Sequence, residues 1–260
     1  MTNAAVLLFA KNVYQFYPNC RIRFIRYDGI SAGVGTQMNI IKDANIECPI
    51  LKIVEEAKRF IAAQLREFTS LDSETGNFKT VDEYPPFAWA EGIVNAVAHR
   101  EYAMEGKYIK VTMYDDRLEI ESPGKLPNIV TVDNIRTTNF SRNPRMARVL
   151  ADFGIVKELN EGVKRIYSDM ENYFLEAPEY SEPGGQTVKL VLKNNIVART
   201  KTETAEKKMA EYWNKLDAVE KDIVTIMGSR SYITATELSL MVSKTRRTIN
   251  KSLVICWKSG

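Results

Sequence analysis

The 260-residue chain reads as an α+β protein with a mixed sheet, followed by a small all-α unit. Two observations predict this. Segments with strand alternation and segments with helical periodicity interleave without a regular βαβ rhythm. The chain also changes character near residue 194, from mixed apolar segments to a polar, basic tail. The expected division is a domain over 1–193, a linker or charged helix over 194–215, and a small helical domain over 216–260.

The elements follow in order. Asn3–Phe16 has helical character and ends at the turn-forming Pro18–Asn19. Cys20–Tyr27 alternates apolar with basic residues, the pattern of a half-exposed strand. Asp28–Thr36 holds three glycines and reads as a loop, and Ile40–Ile46 as a second strand. Pro49 is placed to start a helix whose apolar face is Ile50, Ile53, Val54, Ala57, Phe60, Ile61 and Leu65. Leu71–Glu83 is polar and reads as a connector. Pro85–Pro86 open the next helix, and Tyr108–Tyr114 with Leu118–Ser122 form a hairpin across Asp115–Asp116. Pro144–Phe153 and Val163–Met170 are helical, and Gln186–Lys193 alternates as the last strand of the domain.

The helix after Pro86 carries most of the functional information. From Glu91 to His99 every residue is apolar or glycine except Asn95. Glu91, Asn95 and His99 stand at i, i+4 and i+8, one line along a helix. A polar stripe on a buried helix needs partners, because unpaired buried polar groups are costly. Water, a ligand or a metal would serve. A satisfied core stripe is the alternative reading, and His99 would then bond to backbone or stabilise its helix end.

Composition narrows the classes. The longest apolar run, Ala4–Ala10, is seven residues, too short to span a membrane, and Met1 is not followed by residues that read as a signal peptide. Cys20, Cys48 and Cys256 have no metal or redox spacing, which points to a reducing, cytoplasmic setting. The net charge is +3, but residues 201–260 alone hold 11 Lys and Arg against 7 Asp and Glu. The basic excess lies in the tail and bears on partners.

That tail has the layout of a helix-turn-helix. Ala218–Met227 is a first helix, and Thr234–Val242 a second with Thr234 or Thr236 as its N-cap. Ser243–Lys244 makes a tight turn into a third helix, Thr245–Cys256. Lys244, Thr245, Arg246, Arg247, Asn250 and Lys251 crowd its front, where Arg pairs with guanine, Asn with adenine and Lys with phosphate. A solvated charged face is the alternative. Double-stranded DNA is the expected partner. The segment resembles winged helix-turn-helix regulators, and the sequence stops about where a wing would begin.

Glu91-x-x-x-Asn95-Ala96 resembles the N-box of the GHKL ATPase superfamily. That resemblance implies a Bergerat-type α/β sandwich. It assigns Mg²⁺ to Asn95 through a bound ATP, and the role of general base to Glu91. The spacing suits this, since metal and attacking water must share one helix face. The GHKL adenine motif falls at Ile120–Gly124, with Ser122 in place of its Asp, and Gly124 and Lys125 follow. Glu121 is one residue away but on the other strand face. The glycine lid falls at Glu161-Gly162-Val163 and keeps only Gly162. Lys125, Arg142, Lys164 and Arg165 are candidates to meet phosphates, with surface salt bridges expected for at least two of them.

A broader resemblance covers residues 3–193. NAAVLLFAKN, RIRFIRYDG, NAVAHREY, DDRLEIESPGKLP, SRNP and EGVKRI occur in the order seen in the C-terminal region of Schlafen/AlbA-type "divergent AAA" proteins, often described as RecG-like regulators or helicases. Those proteins carry a further N-terminal domain, so the chain is expected to be a fragment. No Gly-x-x-x-x-Gly-Lys-Ser/Thr loop is present, and a RecG-type helicase activity has no support in the sequence. Three functions remain open: a DNA-binding transcriptional regulator with a nucleotide-sensing and dimerising domain, an ATP-hydrolysing enzyme acting on DNA, and a structural module with a vestigial site.

Overall fold

A computed structural model describes residues 2–71, 78–127, 129–138, 140–156, 161–194, 216–228, 234–242 and 244–245. The chain separates into two compact units, Met1–Ile196 and Val197–Gly260.

The first unit is built on a six-stranded mixed sheet. Its strands are β1 (Ile22–Tyr27), β2 (Ile40–Ile46), β5 (Ile109–Met113), β6 (Arg117–Pro123), β7 (Glu179–Ser181) and β8 (Thr187–Lys193), in the order β2-β1-β5-β6-β8-β7. Only β1 and β5 pair in parallel, and every other neighbouring pair is antiparallel. Among the described residues five α-helices belong to this unit: α1 (Asn3–Phe9), α2 (Ile50–Ala62), α3 (Pro86–Ala98), α4 (Pro144–Asp152) and α5 (Gly162–Asn172). The parallel pair requires a crossover, and the chain between β1 and β5 supplies α2 and α3 for it.

Strand alternation divides the sheet into two faces. Ile22, Phe24, Ile109, Val111, Leu118, Ile120, Leu190 and Leu192 are buried on the helix side. The opposite face carries ion pairs that cross between strands, among them Arg23–Asp43 (2.7 Å), Lys110–Glu121 (3.1 Å) and Lys189–Glu119 (2.7 Å). Glu121 therefore points away from the helices and is tied to Lys110. α3 lies directly on β6 and β8. A Cβ at Gly92 would come within 2.8 Å of Ile120 Cδ1 and 2.9 Å of Leu190 Cδ2, so its absence brings the helix close to the sheet.

Two sequence expectations need correction, and one strand was not expected. Leu71–Glu83 is not only connector. β3 (Glu67–Leu71) and β4 (Phe78–Asp82) pair as a separate two-stranded ribbon. Their side chains lack the apolar alternation that marks a half-buried strand. The helix expected to run to Phe16 ends at Phe9. Ala10 turns to extended backbone, and Val13–Gln15 forms a single 3₁₀ turn. The three-residue strand β7 has no counterpart in the sequence reading.

A buried network fixes the entry to α3. Glu83 is fully buried. Its carboxylate accepts from Arg66 Nη2 (2.6 Å), Arg66 backbone N–H (3.0 Å) and Asn194 Nδ2 (2.7 Å). Arg66 and Asn194 both also donate to the Asp115 carbonyl at 2.7 Å. The start of α3, the β5–β6 turn and the end of β8 meet at this one carboxylate.

Gly124 closes the far end of β6. Its φ is +112°, and a Cβ there would lie 2.8 Å from Glu101 Cβ and 3.3 Å from the Glu101 backbone nitrogen. Glu101 N–H donates to the Pro123 carbonyl at 2.7 Å, so the two segments are locked together. Gly124→Ala is expected to lower stability by about 1–3 kcal/mol. The urea midpoint of the first unit measures this, and an unchanged midpoint would show that the turn relaxes freely.

The second unit is described by two short helices, α6 (Ala218–Gly228) and α7 (Ala235–Met241), which pack through Ile223 and Leu238. Both carry reciprocal capping boxes. Asp217 and Glu220 exchange bonds of 2.8 and 3.0 Å, and Thr234 and Glu237 exchange bonds of 3.3 and 2.8 Å. Among the described residues no helix is long and apolar enough to cross a membrane.

Candidate functional site

The site is organised by the end of α3. The last carbonyls of a helix have no partner within it. Here the Asn95 carbonyl accepts from the His99 N–H at 3.0 Å. The next three carbonyls are taken by side chains from three other places. Ser122 Oγ donates to Ala96 (2.7 Å), Tyr102 Oη to Val97 (2.9 Å) and Asn143 Nδ2 to Ala98 (3.0 Å). Asn143 also donates to the Arg100 carbonyl at 2.9 Å. Three of the sequence motifs therefore converge on one helix end: NAVAHREY through Tyr102, DDRLEIESPGKLP through Ser122, and SRNP through Asn143. Their common effect is to hold the polar stripe of α3 in place.

That stripe faces a cavity of about 720 Å³. Glu91, Asn95, Ser122, Gly124, Lys125 and Gly162 all line it. On α3, Glu91, Asn95 and His99 are half-buried, while the residues between them are buried. The stripe is thus the one side of the helix that the core does not cover. Residues 126–127, 130, 135–138 and 140–142, with the start of α5, line further walls.

Gly162 begins α5 hard against Glu91. A Cβ at that position would lie 2.2 Å from Glu91 Oε1. Only glycine lets the first turn of α5, with its unpaired N–H groups, come this close to the carboxylate and the cavity. Burial raises the Glu91 pKa above the usual carboxylate value. The positive charge of Lys58, the neighbouring Asn95 and the charge of Arg165 each pull it back. Asn95 is close enough to temper that rise, yet its Nδ2 makes no hydrogen bond of good geometry. Burial and the nearby Arg142 push His99 below its ordinary pKa. It is therefore neutral at physiological pH and does not complement the helix end as a cation. It lines the cavity instead.

The four candidate cations divide. Arg142 pairs with Glu101 at 2.7 Å and donates to the Lys125 carbonyl. Arg165 pairs with Asp169 at 3.4 Å and lies 3.9 Å from the Phe87 ring. Lys125 and Lys164 line the cavity, are exposed, and have no ion pair among the described residues.

Among the described residues, four buried polar atoms on cavity-lining side chains have no hydrogen-bond partner: Asn95 Nδ2, Ser141 Oγ, Arg142 Nε and Tyr180 Oη. Each is able to donate a hydrogen bond. Ser122 completes the picture from the other side. Its proton is committed to the Ala96 carbonyl, so it meets the cavity as an acceptor. Ser141 and Tyr180 were not singled out by the sequence. Ser141 lay inside the SRNP motif, whereas nothing in the linear pattern marks Tyr180.

In the second unit, the Lys244 N–H donates to the Ser239 carbonyl (3.2 Å) and Ser239 Oγ to the Lys244 carbonyl (2.6 Å), closing the turn after α7. Lys244 and Thr245 are exposed. Arg246, Arg247, Asn250 and Lys251, and the third helix expected to carry them, lie outside the described residues.

Comparisons with known proteins agree with this geometry in part. Residues 106–192 match the family described as "Putative ATP-dependent DNA helicase recG C-terminal". The match supports a RecG-like, GHKL-type ATPase domain and covers Ser122, Gly124, Lys125 and Gly162. It begins beyond Glu91 and Asn95. Among solved structures, the DIP2311 protein of Corynebacterium diphtheriae is similar at a TM-score of 0.64 with 18% identity, over 98% of this chain and 50% of that one. The likeness is one of fold, and this chain spans half the length of that protein. No curated protein matches the chain.

Proposed function

We propose that the chain is a nucleotide-responsive DNA-binding protein, a transcriptional regulator whose first unit binds Mg-ATP in the cavity beside α3. The observation that carries this reading is the set of buried donors around that cavity that have no partner among the described residues, Asn95, Ser141, Arg142 and Tyr180. Leaving such groups unpaired costs about 1–3 kcal/mol each. A ligand rich in hydrogen-bond acceptors removes that cost, and a phosphate chain is such a ligand. Lys125 and Lys164 at the cavity wall add charge of the right sign.

The residues present fit the nucleotide and its cation. A half-turn of the Asn95 amide exchanges Oδ1 for Nδ2 with no change of shape, so Asn95 would offer its oxygen to Mg²⁺ and leave Ser141, Arg142 and Tyr180 as the donors to phosphate. Bound Mg²⁺ would neutralise phosphate oxygens and make the terminal phosphorus easier to attack. Gly162 brings the N–H groups of α5 to the phosphates. Glu91 would hold and deprotonate a water. Ser122, as an acceptor, and Gly124 face the remainder of the nucleotide.

The C-terminal unit is read as a helix-turn-helix for double-stranded DNA. Its support is the capped α7, the closed turn after it, and the basic sequence Lys244, Thr245, Arg246, Arg247, Asn250 and Lys251. Nucleotide binding would shift a monomer–dimer equilibrium and thereby DNA affinity. The second reading, an ATPase acting on DNA, is favoured by the helicase description of the matched family.

Titration with Mg-ATP tests the proposal. A rise in melting temperature, lost in Asn95→Ala, is expected, together with a nucleotide-dependent change in DNA affinity. Arg246→Ala with Arg247→Ala should flatten the salt dependence of DNA binding. Steady phosphate release stimulated by DNA would favour the enzyme. No thermal response at millimolar Mg-ATP would sink the nucleotide reading.

A further inference from the structure

We infer that the Tyr180 hydroxyl is a ligand-binding group of the cavity, donating a hydrogen bond to an oxyanion of the bound phosphate chain. This rests on the reading of the cavity as a nucleotide site. Tyr180 sits in β7 opposite Leu190 of β8, and both line the cavity. Its ring stacks on Tyr167 of α5, with centroids 6.4 Å apart and planes 20° from parallel. Arg136 in turn lies 4.4 Å over the Tyr167 ring. The ring is thus held by packing alone, and phenylalanine would pack equally well.

The hydroxyl is what needs explaining. Buried tyrosine hydroxyls usually find a partner. This one is buried and has none among the described residues. Burial, the neighbouring Tyr167 and the charge of Glu91 all raise the Tyr180 pKa, so the group keeps its proton and acts as a donor at any working pH. Strand register sets Tyr180 beside Leu190, and Leu190 and Ile120 lie under Gly92 of α3, so Tyr180 belongs to the end of the cavity formed by Glu91 and Gly162. That is the end where α5 begins, opposite the Ser122 and His99 end. A neutral donor there complements negatively charged oxygen without adding a charge that would ion-pair with Glu91.

Tyr180→Phe in the full chain tests the inference, because a structural role and a binding role move it in opposite directions. The melting temperature without ligand is expected to hold or rise, since an unpaired buried hydroxyl is removed. Affinity for Mg-ATP is expected to fall about tenfold, while affinity for adenosine stays the same. An unchanged Mg-ATP affinity in the variant would overturn the inference and leave the nucleotide site standing. So would an equal loss for adenosine, or a fall in the ligand-free melting temperature. Wild-type protein that binds neither probe would instead remove the nucleotide reading itself.

Discussion

Glu83→Ala is expected to destabilise the first unit by about 3 kcal/mol, toward the lower end of the cost of breaking a buried ion pair. The carboxylate is fully buried and accepts hydrogen bonds from Arg66 and Asn194. Arg66 is only partly buried, with 34% of its side chain exposed, so it recovers some hydration once its partner is gone. Asn194 keeps its bond to the Asp115 carbonyl. For a unit of this size the melting temperature should fall by roughly 6–12 °C. Glu83→Gln, which retains an acceptor oxygen without the charge, should fall between wild type and alanine. A paired change, Arg66→Met with Glu83→Leu, should recover much of the loss, because apolar replacement of both partners removes the stranded charge. A shift below 2 °C in the alanine variant would mean that the network relaxes around the gap. The effect also reaches the site. Glu83 immediately precedes Tyr84 and the prolines that start α3, so its loss loosens the helix that carries Glu91 and Asn95.

Much of this arrangement is legible in the sequence, and the limits have physical causes. β1, β5, β6 and β8 show in alternation, because one face is buried and the other wet. The polar stripe of α3 shows in a spacing of four residues. The β3–β4 ribbon is invisible because it has no apolar alternation to report. The roles of Tyr102, Ser122 and Asn143 are equally hidden. Ser122 and Asn143 cap carbonyls of α3 from distant parts of the chain, and Tyr102 does so by folding back onto Val97 just past the helix end, so only the folded geometry shows them there. Ser122 illustrates the difference. As a sequence position it is a missing aspartate, but in three dimensions it is a helix cap and a cavity wall at once. Tyr180 is the extreme case, since an unpaired hydroxyl is a property of the fold and of no local pattern.

Glu91→Gln is expected to bind Mg-ATP within about threefold of wild type, and to lose about 10²–10⁴ of any phosphate release, the usual worth of a general base. The argument starts from burial. Burial raises the folded pKa of Glu91, against the pulls of Lys58, Asn95 and Arg165. With the folded value above the unfolded value near 4.5, the native state holds its proton longer. This contribution to stability is complete below about 4.5 and declines as pH rises through the raised folded value, beyond which it stays lost. Glutamine does not titrate, so the variant should match wild type in acid and exceed it at neutral pH, with the gap opening across that interval. Turnover in wild type should rise with pH over the same interval, because the base must be ionised. Denaturation and phosphate release, each followed from pH 4 to 8, measure the two curves. Undiminished turnover in the variant would remove Glu91 from the chemistry. Coincident stability curves would show that the carboxylate is better solvated than its burial implies. A variant that binds, gains stability at neutral pH and does not turn over would identify Glu91 as a group held against its own solvation for the sake of reaction.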